Sequence, residues 1–213
     1  MNNVIFIAPP AAGKGTFSEK LKNLGYIHIS TGDMLREEIK NKTSIGLEVD
    51  EIMKSGALVS NEIVFKLIES RLSNINKPFI LDGFPRTLEQ AKMLSELLNK
   101  LNIKNYEVIY LDIAMEVAIK RALGRLTCEC GASYNKYNDL FKPKVEWICD
   151  NCGKELSQRS DDNEESFKVR FETFLNNNKP IIEYYDGLGK LHTIDATIDI
   201  DEQLDMIKSI LNI

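Results

Sequence analysis

Residues Val4-Ile5-Phe6-Ile7-Ala8-Pro9-Pro10-Ala11-Ala12-Gly13-Lys14-Gly15-Thr16 constrain the chain more than any other stretch. An apolar strand runs into a tight loop of small residues, and a lysine opens a helical pattern. This is the layout of a phosphate-binding loop. Backbone N–H groups ring an anion, the helix N-terminus adds partial positive charge, and Lys14 reaches the outer phosphates. The usual pattern places Gly at position 8 and Ser or Thr directly after the lysine; here those positions hold Ala8 and Gly15, with Thr16 one place later. A strand-to-helix turn rich in small residues gives the same local pattern without binding anything.

Short apolar runs alternate with helical patterns, the signature of βα units and a parallel sheet. Strands are predicted at Val4–Ile7, Tyr26–Ile29, Phe79–Leu81, Val108–Leu111 and His192–Ile194. Ser60 or Asn61 can cap a helix whose apolar face is Ile63, Val64, Leu67, Ile68 and Leu72. Thr87-Leu88-Glu89-Gln90 reads as a capping box. A helix over Ala114–Leu126 would carry Arg121 and Arg125 on one face. Residues 30–59 hold helical patterns without a strand, and 124–161 look like a small separate module.

Composition narrows the chemistry. A net charge of -5 argues against general nucleic-acid binding, which needs a cationic surface. The first apolar run is too short for a membrane span or signal peptide, so a cytoplasmic protein is expected. Of 27 basic residues only seven are arginine: Arg36, Arg71, Arg86, Arg121, Arg125, Arg159 and Arg170. A chain that otherwise uses lysine is expected to keep arginine for planar, bidentate contacts.

Two further segments carry chemistry. In Ser30-Thr31-Gly32-Asp33-Met34-Leu35-Arg36, Thr31 can hydrogen-bond at a strand end, Asp33 can cap the next helix, and Arg36 lies one turn in. In Phe79-Ile80-Leu81-Asp82-Gly83-Phe84-Pro85-Arg86, an apolar strand ends in a carboxylate, the place of a magnesium-associated Asp in phosphate-loop enzymes. Gly83 permits close approach, and Pro85 aims Arg86 over the edge where open α/β sheets bind ligands.

Together with Gln90 and Gln158-Arg159-Ser160-Asp161-Asp162, these segments resemble the adenylate kinase family over essentially the full length. Gly13-Lys14-Gly15-Thr16 is that family's own form of the loop. The resemblance implies an α/β phosphate-loop nucleoside monophosphate kinase fold with a central five-stranded parallel sheet flanked by helices. Residues 1–29, 60–123 and 162–213 would form the core, 30–59 an AMP-binding insert and 124–161 an ATP-covering lid of the long, metal-carrying form. It implies reversible phosphoryl transfer from Mg-ATP to AMP by a monomer. Rival readings are a relative with another acceptor or donor, and a non-catalytic phosphate-loop module.

Carried over by position, Ala11, Ala12, Gly13, Lys14, Gly15, Thr16, Arg121, Arg125, Ser133 and Tyr134 would contact ATP. Thr31, Arg36, Ala57, Leu58, Val59, Gly83, Phe84, Pro85, Arg86, Gln90, Arg159 and Arg170 would line the AMP site, with Gln90 reading the adenine edge. Lys14, Arg86, Arg121, Arg159 and Arg170 would stabilise the transferring group, while Asp82 orders Mg²⁺ through water. Donor-base choice is weakly encoded, since lid contacts to that base are largely backbone.

Cys128-Glu129-Cys130-Gly131 and Cys149-Asp150-Asn151-Cys152-Gly153, with 18 residues between Cys130 and Cys149, suggest a four-thiolate structural zinc site. The first pair is one residue short of the usual spacing, which bears chiefly on Cys128. His28 and His192 read as structural residues. Asp161 and Asp162 match acidic hinge positions, although an exposed helix-terminal acid pair would look the same. Ala8 and Ala11 each place a methyl where glycine would let backbone approach phosphate, in a conformation expected to suit alanine.

Overall fold

The structure is a computed structural model describing residues 1–55, 57–158 and 162–213. The part of the 158–162 motif that carries Arg159, Ser160 and Asp161 lies outside the described residues. Each apolar run becomes a strand because its two faces feed two different cores. In β1 (Asn3–Ile7), Ile5 and Ile7 enter one hydrophobic cluster and Val4 and Phe6 the other. That period-two division, with both faces buried, is why the run is apolar throughout.

Four more strands join β1: β2 (Ile27–Ser30), β3 (Phe79–Asp82), β4 (Tyr106–Asp112) and β7 (Leu191–Asp195). The sheet is parallel, in the order β2-β3-β1-β4-β7. All five predicted strands are present. The second begins one residue late, because Tyr26 turns its hydroxyl to the Asn2 carbonyl at 2.8 Å and stays outside the ladder.

One face is covered by α4 (Asn61–Leu72), α5 (Leu88–Lys100) and the C-terminal half of α7 (Glu164–Gly187), through Val64, Ile68, Leu94, Leu98, Ile181 and Tyr185. The other is covered by α1 (Lys14–Lys22), α6 (Met115–Gly124), α8 (Ile200–Leu211) and the first half of α7. Between β2 and α4 the described residues make only α2 (Thr31–Lys40) and α3 (Ser44–Ser55). No described helix is long and apolar enough to cross a membrane.

The helix expected over Ala114–Leu126 ends early. Gly124 closes α6, and Arg125 starts the antiparallel hairpin of β5 (Arg125–Thr127) and β6 (Ser133–Asn135). A Cβ at Gly124 would sit 2.2 Å from Asn135 Oδ1, so a larger residue here would have to displace the Asn135 side chain. Arg121 and Arg125 therefore do not share a helix face. Beyond the hairpin a short 3-10 turn spans Asp139–Phe141, and a separate small cluster of Leu126, Cys128, Cys149 and Leu156 forms the module's own core.

Candidate active site at the carboxyl edge of the sheet

The C-terminal ends of β1, β2 and β3 release the three motif loops side by side, so the topology alone gathers them around one cleft of ≈ 790 Å³. After β1, Gly13 caps α1 in a left-handed conformation. Lys14 folds back over the loop, and its Nζ donates to the Ala8 and Pro9 carbonyls at 3.2 and 3.3 Å. Ala11, Ala12, Gly13, Gly15 and Thr16 line the cleft beside it. Ala11 departs from expectation: its φ of 61° lies in the left-handed region. An L-residue pays about 1–2 kcal/mol there, so the Ala11 methyl is a strained choice in the loop.

Asp82, at the end of β3, stands 3.8 Å from Lys14 Nζ and 3.5 Å from His28 Nε2. Burial alone would raise its carboxyl, but the Lys14 charge and then His28 outweigh that and hold it down at about 2. Lys14 moves the other way. Burial lowers it to about 8, Asp82 opposes the shift, and the charges of Arg86, Arg170 and Arg125 reinforce it. His28 thus lines the cleft beside Asp82. The β2–β3 register pairs His28 with Ile80 and Ser30 with Asp82. That puts His28 one pair back on the Asp82 face, a relation invisible in single-chain spacing.

At the β2–β3 end, Thr31 Oγ1 donates to the Asp82 carbonyl at 3.3 Å. Ser30 rather than Asp33 caps α2, accepting from Asp33 N at 3.2 Å, which frees the Asp33 carboxylate to hold Arg36 at 2.6 Å. Gly83 has φ 82°, and a Cβ there would lie 2.5 Å from Thr31 Oγ1, so this approach requires glycine. Arg86 Nε donates to the Gly83 carbonyl at 2.8 Å. Thr87 Oγ1 accepts from Gln90 N as a capping residue should. Gln90's own amide does not complete the box: its Oε1 accepts from Arg86 N, and its Nε2 donates to Asn61 Oδ1, both at 2.7 Å. One Nε2 hydrogen and one oxygen lone pair remain for a ligand. Ala57, Leu58, Val59 and Pro85 line the same end; Phe84 does not, being fully buried in the core.

The remaining cations come from the other side. Arg125 Nε donates to Asp162 Oδ2 at 2.7 Å, its Nη2 bonds Asp162 Oδ1, and Arg170 Nη1 lies 3.8 Å from that oxygen. Asp162 is buried, so it is not an exposed helix-terminal acid. It is the counter-charge that aims two arginines into the cleft. Arg121 Nη2 donates to the Ala196 carbonyl at 3.0 Å. Ser133 and Tyr134 of β6 complete that wall, and Thr197, Ile198, Asp199, Ile200 and Gln203, none of them singled out by motif, form the end beyond β7. Arg71 stands apart, exposed beside Glu37.

A cleft that gathers Lys14 and five arginines matches what comparison finds. The family model for adenylate kinase matches residues 6–190. The chain is 44% identical to the adenylate kinase of Thermosipho melanesiensis over 99% of its own length and 98% of the relative's. It is 42% identical to that of Methanosarcina barkeri, covering 98% of each chain, and 43% identical to that of Enterococcus faecalis, covering 99% of each.

The chain belongs to the adenylate kinase family.

Like the cleft, the cysteine module of this adenylate kinase family member is assembled by turns. Cys128, Cys130, Cys149 and Cys152 place their sulfurs within 4.8 Å of one another, Cys128 included despite the shortened spacing. Cys128 Sγ lies 3.4 Å from Cys152 Sγ, and Cys130 Sγ lies 3.6 Å from Cys149 Sγ. Sulfurs about 2.3 Å from a tetrahedral zinc stand about 3.8 Å apart, so the donor set fits that metal. Tyr134 touches Cys149 Sγ at 3.5 Å through its hydroxyl, which is the leading cause drawing that thiol down to about 6. His192, by contrast, is structural, bonded to Glu107 at 2.9 Å.

The Lys14 shift sets a pH dependence. Its folded value lies below the unfolded one, so protonated Lys14 burdens the free fold below about pH 8, and stability rises with pH from there toward about 10.5. Phosphate binding reverses the shift by favouring the charged form. The pH profile of kcat/KM for ATP is therefore expected to fall above about pH 8, with the corresponding limb of kcat displaced upward. Initial rates between pH 6 and 10 check this.

Proposed function

We propose that this enzyme catalyses Mg-ATP + AMP ⇌ 2 ADP in the cytoplasm as a monomer, with acceptor and donor nucleotides entering from opposite ends of the cleft. The observation that carries this reading is the convergence of Lys14, Arg36, Arg86, Arg121, Arg125 and Arg170 on one cleft whose β2–β3 end carries Gln90. Arg159, assigned a phosphoryl-stabilising role by position, is part of the same proposal. Residues 30–59 act as the AMP-binding unit, 124–161 as the lid, and the remainder as the core.

Arg36 and Arg86 grip the AMP phosphate, and Gln90, with its amide plane set by Arg86 N and Asn61, presents its remaining donor and acceptor to the adenine edge. Thr31, Gly83 and Ala57-Leu58-Val59 shape that pocket. On the other side, the phosphate loop and Lys14 hold the ATP phosphates, with Arg125, Ser133 and Tyr134 closing above them. Lys14, Arg121 and Arg170 meet the charge that spreads over the transferring group's oxygens, so the protein supplies no nucleophile. Asp82, held ionised, would order a Mg²⁺ ion by accepting hydrogen bonds from the water it keeps, and that ion would supply neutralising charge to the polyphosphate. Closure of the two inserted units excludes water that would otherwise hydrolyse ATP.

A coupled assay with AMP, CMP, UMP and GMP tests the assignment. AMP is expected to be the preferred acceptor; preference for a pyrimidine acceptor would sink the adenylate reading. Lys14→Ala and Arg86→Ala are each expected to cut turnover by about two orders of magnitude or more with the fold intact by circular dichroism. Near-wild-type rates in both would break the mechanism. The four thiols would hold a structural Zn²⁺ that stabilises the lid and takes no part in the chemical step. Freshly purified protein is expected to contain about one zinc per chain, and chelation to lower its melting temperature; metal analysis finding none would end that claim.

A further inference from the structure

Gln203 sits on the buried face of α8 with Leu204, Ile207 and Leu211, and is only 2% exposed. An amide in such a place is costly unless its hydrogen bonds are made. Its Nε2 donates to the Ile198 carbonyl at 2.7 Å and to the Ala196 carbonyl at 3.4 Å. The Ala196 carbonyl also accepts from Arg121 Nη2 at 3.0 Å. Gln203 Oε1 is buried with no hydrogen-bond partner among the described residues. Methionine would fill a similar volume without stranding an acceptor. What only the amide contributes is its two donors, and both go to the loop that follows β7.

That loop is placed by the sheet order. β2 and β3 carry the acceptor residues on one side of β1, while β4 and β7 lie on the other. Thr197, Ile198 and Asp199 therefore wall the cleft at the end farthest from Thr31 and Gly83. We propose that Gln203 is a positioning residue for the donor nucleotide: it fixes the 196–198 backbone against which the triphosphate's nucleoside rests. Through the shared Ala196 carbonyl it also fixes the guanidinium of Arg121. This rests on the two-ended reading of the cleft given above. Gln203 touches neither substrate phosphate and has no part in the acceptor pocket.

Equilibrium titration calorimetry of ATP and, separately, of AMP tests this without relying on turnover, which decides the two-substrate reading on its own. Gln203→Met removes the donors and the stranded acceptor together and is expected to fold at least as well as the parent. Gln203→Glu keeps shape and acceptors but removes the donors at neutral pH. Both are expected to weaken ATP binding by up to about tenfold, because the loop those hydrogen bonds held must then be ordered on binding, and to leave AMP affinity within about twofold. In steady state the matching signature is a raised KM for ATP with KM for AMP unchanged. A role confined to packing predicts a change in melting temperature without that split. ATP affinity unchanged in Gln203→Met, or equal weakening for both nucleotides, would overturn the proposal.

Discussion

Positive charge crowded at the carboxyl edge of one parallel sheet is the constraint on which the rest of the structure depends. Lys14 lies among Arg86, Arg125 and Arg170, and its affinity for a proton is depressed first by burial and then by their repulsion. Two carboxylates, Asp162 buried and Asp82 partly buried, keep the cluster in place. Asp82 faces Lys14 from the end of β3, and Asp162 grips Arg125 and stands beside Arg170. Removing one partner of such a buried pair is typically far worse than never having built it. The free fold is thus a strained holder of cations, and a polyphosphate spanning the cleft would relieve the repulsion.

The surrounding architecture serves that arrangement. A sheet with both faces covered gives a rigid base, and three adjacent strands end at one edge, so their loops converge without long connections. The Gly83 backbone lies against Thr31 because no Cβ intervenes. Ala11 runs against this economy, since its left-handed φ would suit glycine better. Three hydrogen bonds then orient side chains whose charge alone would not: Asp33 holds Arg36, the Gly83 carbonyl holds Arg86, and the Ala196 carbonyl holds Arg121.

Much of this could be read from the chain, and the exceptions have physical causes. Strands β1 and β3, buried on both faces, must be apolar nearly throughout and were legible for that reason, while the edge strands β2 and β7 showed as short mixed runs; the arginines stood out against a lysine-rich background. The end of α6 was not, because Arg125 and Leu126 are good helix formers and only pairing with residues 133–135 draws them into a strand. His28 beside Asp82 depends on inter-strand register, and Asp162 on a contact with Arg125, 37 residues away. Phe84 sits between pocket residues in sequence, yet its side chain turns to the core. Gln203 did leave a signal, a polar residue at a core-facing position of a helix with Ile200, Leu204 and Ile207.

The central claim is that the cation cluster is built to be neutralised by two nucleotides joined through a bridge of phosphates. Thermal unfolding in the presence of Mg²⁺ and a compound linking two adenosines through five phosphates tests this most directly. At a concentration about 100 times its dissociation constant, a ligand that binds only the folded state adds about 2.7 kcal/mol. For a chain of this size that corresponds to a rise of roughly 5–10 °C in melting temperature, and the rise should exceed that from equal concentrations of ATP or AMP alone. A melting temperature unchanged by the linked compound would contradict the account.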